Sequence, residues 1–327
     1  MNVIVTGGAG FIGSHVINYL LNHTNYEIFC IDKLSYASMS WKRLRQFGIF
    51  NHKRLHCITW DLTVPFSEGL IEEFGDINII IHMAAETHVD RSILNPVETI
   101  HNNVMSTACL LEYARKLKKL AMFQYFSTDE IFGPAPDGVN YRECDRQYPT
   151  NPYSASKAAS ENICLAYANT YNLPIIITNL MNAFGITQHC EKFIPLVMKK
   201  ILEKETIVIH TKNDGVSPGS RFYIDTENIC RAVIFILENG RPGEVYNIKG
   251  LCEVDNLTLA QKIANIMKCE LKYLLTDVHT SRPGHDVRYS LDGSKLYEMG
   301  FRLQSNFDDE LEKVVLWTLE NQKWLEE

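Results

Sequence analysis

The sequence predicts an α/β fold: a doubly wound parallel sheet with a smaller α/β lobe interleaved into its second half. Three observations predict it. Short apolar runs of strand length alternate with amphipathic segments through the first half of the chain, the pattern of parallel strands joined by helical crossovers. The first run is followed at once by glycines spaced G-x-x-G-x-x-G and then by an amphipathic stretch, so strand, tight turn and helix come in the order of a nucleotide-binding turn. Across 327 residues there is no internal repeat and no low-complexity linker, so the second half is stitched into the first rather than standing apart.

The first strand is placed at residues 2–6. In the turn that follows, Gly7 permits the tight bend, Gly10 the close approach of backbone to a pyrophosphate, and Gly13 close packing of helix on strand. The helix start, with Phe11 and Ile12, faces the phosphate charge. A glycine turn that binds nothing is the alternative, and the strand and helix on either side weigh against it. Residues 27–31 form the second strand and end at Asp32, where a carboxylate accepts hydrogen bonds from adenosine ribose hydroxyls and repels a 2′-phosphate. NAD is therefore expected over NADP, although Lys33 and the Lys42-Arg43 pair pull the other way. A third strand at 55–59 leads to Asp61 and Leu62, placed to meet the adenine. A fourth at 77–83 ends in Ala84 and Ala85, small enough to let a cofactor pass close to the backbone. After the loop Glu86-Thr-His-Val-Asp-Arg91 a long helix is predicted over 97–118; by its position alone His88 is an ordinary loop residue.

The fifth apolar run, 121–126, looks like a buried strand and delivers Thr128, Asp129 and Glu130 to its carboxyl end, where open α/β sheets bind their ligands. Adjacent carboxylates in such a crevice acquire different proton affinities, leaving one as acid and one as base, which suits a dehydration; the alternative is a solvated loop pair. Downstream, Pro152 opens a helix capped by Thr150 or Asn151, which puts Tyr153 and Lys157 four apart on one face. An ammonium beside a phenol favours the phenolate, so Tyr153 is a base for a sugar hydroxyl if a hydride acceptor lies nearby, and a surface pair if not.

A sixth strand is placed at 174–178, ending near Asn182. The alternation then loosens: a helix at 195–204, a strand at 206–210, a polar loop at 212–220, a helix carrying Ile229, Val233, Ile236 and Leu237, a strand at 244–248, a helix at 257–267 and a strand at 271–275. The last feature is a loop with two arginines, Arg282-Pro-Gly-His-Asp-Val-Arg288.

Composition removes several classes of function. A hydrophobic fraction of 46% and a charged fraction of 22% are those of a soluble globular protein. A net charge of −7 without long runs of Lys or Arg argues against a nucleic-acid partner. The nine cysteines show neither C-x-x-C pairs nor His/Cys clusters at ligand spacing, which predicts reduced thiols in the cytoplasm and no metal site. No basic leader precedes the first strand, and no apolar stretch approaches the length of a membrane span.

Together these segments resemble the extended short-chain dehydrogenase/reductase family, and within it the nucleotide-sugar 4,6-dehydratases of the dTDP-glucose or UDP-glucose type. The likeness runs from Gly7 to the Arg282 loop, and Ser127-Thr-Asp-Glu-Ile-Phe-Gly133 is its most specific part, because the adjacent Asp and Glu belong to the dehydratases. Asp32-Lys-Leu-Ser-Tyr36, His82 to Arg91, Asn151 to Ala158, Glu191-Lys-Phe-Ile-Pro195, Tyr246-Asn-Ile248 and Arg282 to Asp286 also match. The resemblance implies a Rossmann sheet over 1–180, completed by part of 222–250, and a nucleotide-sugar lobe over most of 181–327. It implies that Tyr153 is the base for sugar oxidation, that Lys157 lowers its pKa and holds the nicotinamide ribose, and that Thr128 hydrogen-bonds the reacting oxygen. Asp129 is then the acid for the departing C6 hydroxyl and Glu130 the base at C5, while Thr87, His88, Asn182, Glu191, Lys192, Arg221, Asn247, Arg282 and His285 fall where the family meets its substrate. A homodimer is implied too, through the helices at 97–118 and 152–171 with Leu110, Leu111, Leu165 and Ala166, as is a step towards deoxysugars such as rhamnose. Met181-Asn-Ala-Phe-Gly-Ile186 departs from the family's Ser-Asn-Asn-Tyr-Gly-Pro, and only Asn182 carries over there. The expected activity is NAD-dependent NDP-glucose 4,6-dehydration. The rivals are a 4-epimerase, which has no use for the adjacent acid and base, and a non-catalytic NAD sensor, which has no use for Tyr153 and Lys157.

Overall fold

The computed structural model of the chain describes residues 1–212, 214–277 and 287–326. Twelve strands occur among them: β1 (Asn2–Thr6), β2 (Glu27–Asp32), β3 (Leu55–Thr59), β4 (Ile77–His82), β5 (Met122–Thr128), β6 (Ile175–Leu180), β7 (Asn182–Phe184), β8 (Ile207–Thr211), β9 (Ser220–Asp225), β10 (Val245–Ile248), β11 (Cys252–Asp255) and β12 (Tyr273–Asp277). Seven of them make the main sheet in the order β3-β2-β1-β4-β5-β6-β10, and every neighbouring pair is parallel. The chain reverses its winding between β1 and β4, which opens a crevice at the carboxyl ends of the strands.

Alternate residues of these strands feed two cores. Val3, Val5, Ile28, Cys30, Ile79 and Ile81 pack under Val16, Ile17 and Leu20 of the helix Phe11–His23 and under Ile229, Val233 and Ile236 of the helix Thr226–Asn239. On the opposite face Ile4, Phe29, Ile31, Ile80, Phe123 and Tyr125 meet Leu110, Leu111 and Cys164. Burying each such side chain contributes roughly 1.5–3 kcal/mol, and covering both faces is why the strands read as unbroken apolar runs.

A third core, with Phe184, Ile194, Val197, Leu259, Ile263 and Val315, belongs to the second-half lobe. There β11-β9-β7 form a small mixed sheet, and β12 pairs with β8. The chain passes back from this lobe to the main sheet through the helix Thr226–Asn239 and β10.

Several elements differ from the sequence expectation. The single helix expected over 97–118 is instead Pro96–Ile100, a π-turn at His101–Met105 and Ser106–Ala114, and the stretch before it, expected as loop to Arg91, forms the helix Val89–Leu94. Pro96 starts a new helix because it donates no N–H to the turn before it, and the π-turn turns the polar Asn103 inward, where it is buried. Strand β5 runs past its apolar stretch to take in Ser127 and Thr128. The short strands β7, β9 and β11 were not expected, since residues such as Ser220, Arg221, Asn182 and Glu253 give no apolar run, nor were the helices Ser294–Glu298 and Phe307–Glu320. Leu110 and Leu111 lie in the core beneath the sheet and not on an outward helix face, whereas Leu94 and Val97 are 77% and 79% exposed.

Candidate active site

At the nucleotide end the site is made of backbone. Gly7 adopts a φ of +68°, and its N–H donates to the Ile31 carbonyl at 2.8 Å, closing the turn onto β2. A Cβ on Gly13 would stand 2.3 Å from the Gly7 oxygen, and one on Gly7 would stand 2.8 Å from the Ala84 Cα, so neither position admits a side chain. The helix opens at Gly10 without a side-chain cap, and the N–H groups of Phe11, Ile12 and Gly13 lie in its first turn, where no intrahelical acceptor exists, on the wall of a cavity of about 340 Å³. That is a seat for a pyrophosphate.

Asp32 at the end of β2 accepts from the Ala9 N–H at 3.1 Å and the Leu34 N–H at 2.8 Å, which fixes its carboxylate at the cavity edge. Two of the cations expected to favour a 2′-phosphate, Lys33 and Arg43, are spent elsewhere. Lys33 is paired with Glu86 at 2.9 Å. Arg43 is wholly buried and donates to the carbonyls of Ala9, Ala37, Ser38 and Thr187. The residues present fit NAD, with Gly7, Gly10, Phe11, Ile12, Gly13, Asp32, Lys33, Asp61, Leu62, Ala84 and Ala85 all on the same cavity wall. Behind that wall the Thr6 hydroxyl sits 2.7 Å from His82 Nδ1 and accepts the N–H groups of Met83 and Ala84, which sets the backbone at the end of β4.

At the other end of the cavity the site is made of side chains. Thr128 closes β5 and donates to Asp129 Oδ1 at 3.1 Å, and Asp129 and Glu130 follow in a 3₁₀ turn. Burial, then the neighbouring Glu130 charge, pushes the Asp129 carboxyl up to about 7, and its Oδ2 is buried without a partner among the described residues. Burial raises Glu130 as well, while Arg221, Lys192, Asn151 and Tyr289 pull it back. Tyr289 donates to Glu130 Oε2 at 3.2 Å and Asn151 reaches the same oxygen at 3.5 Å. The two carboxyls are thus separated by environment, with Asp129 suited to hold a proton and Glu130 to accept one.

Asn151 caps the helix Pro152–Tyr171 in a reciprocal box with Ser154, which delivers Tyr153 and Lys157 to the cavity wall as expected. Their electrostatics differ from the expectation. Lys157 Nζ donates to the Phe126 carbonyl at 2.5 Å and lies 4.3 Å from the centre of the Tyr125 ring, and burial pushes its pKa down to about 8. The Tyr153 phenol is raised, by burial first and then by Glu130, and not lowered. In a cavity this dry, desolvation outweighs an ammonium that is tied to a carbonyl.

Of the residues expected at the substrate, Thr87, Asn182, Glu191 and Lys192 line the cavity, and the Asn182 amide nitrogen is buried there without a hydrogen-bond partner among the described residues. His88 caps the helix Val89–Leu94 and faces Glu191 at 3.6 Å from behind the wall. Arg221 stands outside the wall, stacked 4.5 Å from the Tyr289 ring, and acts on the carboxylates by its charge. Asn247 is a correction. It is fully buried in β10, donates to the carbonyls of Tyr141 and Asp292 and accepts from Asn179, so its side chain is committed to the fold and no part of it lines the cavity. Arg282 and His285 lie outside the described residues. Tyr289 and Asn103 escaped the sequence reading. Tyr289 lies in a segment without periodicity, and Asn103, which bridges Glu86 and Ser156, sits in the unexpected π-turn; the adjacent Asn102-Asn103 pair, a poor helix former inside the expected helix, is the signal that could have found it.

A family model described as GDP-mannose 4,6 dehydratase matches residues 4–314. The chain belongs to that family. Among its relatives, a dTDP-glucose 4,6-dehydratase of Escherichia coli is 36% identical over 100% of this chain and 95% of its own length. One of Haemophilus influenzae is 37% identical over 98% of each. A solved dTDP-glucose 4,6-dehydratase of Streptomyces venezuelae with NAD bound has a TM-score of 0.89 at 35% identity, covering 100% of this chain and 99% of that one. The UDP-glucose 4-epimerase of Thermus thermophilus in complex with NAD has a TM-score of 0.85 at 25% identity, over 96% and 98% of the two chains. The fold is shared by the dehydratase and the epimerase, so the fold alone does not decide the chemistry.

Proposed function

We propose that the protein carries out NAD-dependent 4,6-dehydration of an NDP-glucose, dTDP-glucose or UDP-glucose, to the NDP-4-keto-6-deoxy sugar. The observation that carries this reading is the adjacent pair Asp129 and Glu130, unequal in proton affinity, on the same cavity wall as Tyr153 and Lys157. The glycine turn, Asp32 and Ala84-Ala85 would hold NAD, which would supply the hydride acceptor and donor for the cycle.

Tyr153 takes the proton of the C4 hydroxyl, whose oxygen Thr128 orients. The base is the Tyr153 phenolate, whose formation burial and the Glu130 charge oppose and the Lys157 ammonium at that end of the cavity favours. The C4 ketone acidifies the hydrogen at C5, which Glu130 removes. Asp129, whose proton affinity is raised to about 7 so that the acid form persists up to neutral pH, gives its proton to the C6 hydroxyl so that water departs. Thr87, His88, Asn182, Glu191, Lys192 and Arg221 are assigned to the nucleotide-sugar side, with the lobe over 181–327 as its main support. A guanidinium fork such as that of Arg221 matches phosphate oxygens.

Substrate deuterated at C4 tests the reading, because a dehydratase that retains its cofactor moves that hydrogen to C6. The product should carry deuterium in its C6 methyl and take a solvent hydrogen at C5. Deuterium retained at C4 would mean an epimerase, and no transfer a binding protein without turnover.

Beyond the reaction class, the relatives' names favour dTDP-glucose, and parallel assays with the uridine and thymidine nucleotides decide between them. No described helix is long and apolar enough to cross a membrane, and the reading places the enzyme in the cytoplasm, feeding a deoxysugar such as rhamnose. A homodimer is part of the same proposal, and exposed Leu94, Val97, Ile100 and Tyr171 on the helices near residues 89–100 and 152–171 support it. A monomeric mass in light scattering at micromolar concentration would count against it.

A further inference from the structure

The second arginine of the stretch from Arg282 to Arg288 has no part in the reaction above. Arg288 is 5% exposed. Its Nε and Nη2 donate to the two oxygens of Glu253 on β11, at 2.7 and 3.0 Å, as a paired fork. Its Nη1 donates to the carbonyls of Pro136 and Val139, at 2.9 and 2.8 Å, in the loop 134–141 that follows the Asp129-Glu130 turn. A buried cation is costly unless it is paired and hydrogen-bonded, and apolar side chains could join the same segments without that cost. What the fork adds is direction, because it fixes one stretch of main chain against two others.

The backbone around Arg288 is held as well. The Val287 carbonyl accepts from the Ser220 N–H at 2.9 Å and from Arg221 Nη1 at 2.7 Å. The Arg288 carbonyl accepts from the Ala135 N–H, and the Ser290 carbonyl from the Tyr141 N–H, both at 3.0 Å. Residues 287–290 are therefore seated between β9 and the loop 134–141, and the Ser220 hydroxyl ties Glu253 to β9 at 2.5 Å. Tyr289 lies in the middle of that seat. Its ring is 4.5 Å from the Arg221 guanidinium, and its hydroxyl donates to Glu130 Oε2 at 3.2 Å. A bond of that length is lost when the segment drifts by about half an ångström.

Other groups face Glu130 too: Asp129 beside it on the turn, Tyr153 and Asn151 from the helix Pro152–Tyr171 and its cap, Arg221 on β9, and Lys192 at the cap of the helix Phe193–Leu202. Among the groups that hydrogen-bond Glu130, Tyr289 is the one whose backbone Arg288 holds. Arg288 also keeps the Glu253 carboxyl below its ordinary range, so their ion pair persists while Glu130 titrates.

We propose that Arg288 is a positioning residue: clamped by Glu253 and the loop carbonyls, it seats Tyr289 so that the phenol hydroxyl stays on Glu130 and keeps that carboxylate available as a base. The consequence for proton removal at C5 rests on the dehydratase reading, but the coupling of Arg288 to Glu130 through Tyr289 does not.

The test is a double-mutant cycle read by NMR titration of protein carrying ¹³Cδ-labelled glutamate, with the Glu130 resonance assigned by its absence in Glu130→Gln. In Tyr289→Phe the Glu130 midpoint should rise by about one pH unit, as expected when one of two hydrogen bonds to a charged group is lost. Arg288→Met should raise it by a similar amount, and the double variant should rise no further than Tyr289→Phe alone. An unmoved midpoint in folded Arg288→Met, or rises that add in the double variant, would overturn the proposal even if activity fell, because a merely structural role does not pass through the Tyr289 hydroxyl. If Arg288→Met fails to fold, Glu253→Gln serves instead. It keeps the shape of the partner and removes its charge, and the smaller rise it causes should vanish in the Tyr289→Phe background; a midpoint that stays, or that moves equally in that background, would overturn the idea. In turnover the acid limb of product formation should move to higher pH while oxidation at C4 keeps its rate. A raised midpoint with no dehydration of any NDP-glucose would leave the coupling intact and overturn the dehydratase reading.

Discussion

The two ends of the cavity solve their binding problems with different materials. At the nucleotide end the contacts come from backbone N–H groups within one strand-turn-helix unit, Gly7 to Gly13, braced by Ala84 across the turn. At the carboxylate end they come from side chains brought together from β5, the helix Pro152–Tyr171, the central strand β9 of the small sheet and Tyr289 near the end of the chain. A backbone site cannot bear an added Cβ. A side-chain site fails when a single functional atom is lost while the fold stands. Each kind of damage should therefore be confined to its own end.

The largest effect is expected at the carboxylate end. Tyr153→Phe removes the base for oxidation and should cost about 10²–10⁴-fold in kcat, with little reduced nicotinamide formed on adding substrate. Glu130→Gln should be as inactive in product formation but should let oxidation proceed and then stall, so that the absorbance of reduced nicotinamide rises. Stopped-flow absorbance separates them. A rise in the tyrosine variant and none in the glutamate variant would reverse the two roles.

Next is Gly13→Ala, which attacks the other end. The new Cβ would meet the Gly7 oxygen at 2.3 Å, and since that oxygen is backbone the helix must retreat, at roughly 1–3 kcal/mol. Wild-type protein denatured after purification should release NAD and not NADP; the variant should release much less. Nucleotide content equal to wild type would show that the turn tolerates what its geometry forbids.

The same contrast explains how much was legible in the sequence. Gly7, Gly10, Gly13, Asp32 and Ala84-Ala85 lie on the cavity wall where the sequence put them, because they sit in or next to one strand-turn-helix unit and the ends of its neighbouring strands. Asp129, Glu130, Tyr153 and Lys157 were also readable, two at a strand end and two on one helix face. Their proton affinities were not, because the depth of burial behind Phe126 and the engagement of Lys157 with its carbonyl are properties of the packed fold. Asn247 was misplaced for a related reason. Its neighbours Tyr141, Asn179 and Asp292 converge on it from far along the chain, and no local pattern announces that its amide is already used.

A smaller effect concerns pH. Asp129 must carry a proton to release water from C6, and burial with the Glu130 charge sets its affinity near 7. The sign follows directly: the acid is present below that value and is lost as pH rises through it. The elimination step should therefore weaken on the alkaline side of neutrality, while NAD content, set at the other end, stays constant. Single-turnover rates across pH, with nucleotide content measured on the same samples, check both halves. An elimination rate that rises from pH 7 upward would remove Asp129 from the role of acid.

The smallest expected effect is the most discriminating, because it concerns a residue that sequence reasoning passed over. Tyr289 donates to Glu130 Oε2 at 3.2 Å, and that bond favours the carboxylate over the acid. Tyr289→Phe keeps the ring beneath Arg221, 4.5 Å away, and removes only the hydroxyl. A hydrogen bond to a charged group contributes about 1.5–3 kcal/mol, part of which Asn151 retains by reaching the same oxygen. Proton removal at C5 should then slow by roughly tenfold, as a difference of about 1.4 kcal/mol implies. The acid limb of the rate should move to higher pH, because Glu130 now holds its proton more tightly. Oxidation at C4, which does not use Glu130, should keep its rate, so reduced nicotinamide should accumulate briefly before product appears. An unchanged acid limb would mean that the Tyr289 bond does not govern the base, and a slowed oxidation would mean that Tyr289 serves Tyr153 instead.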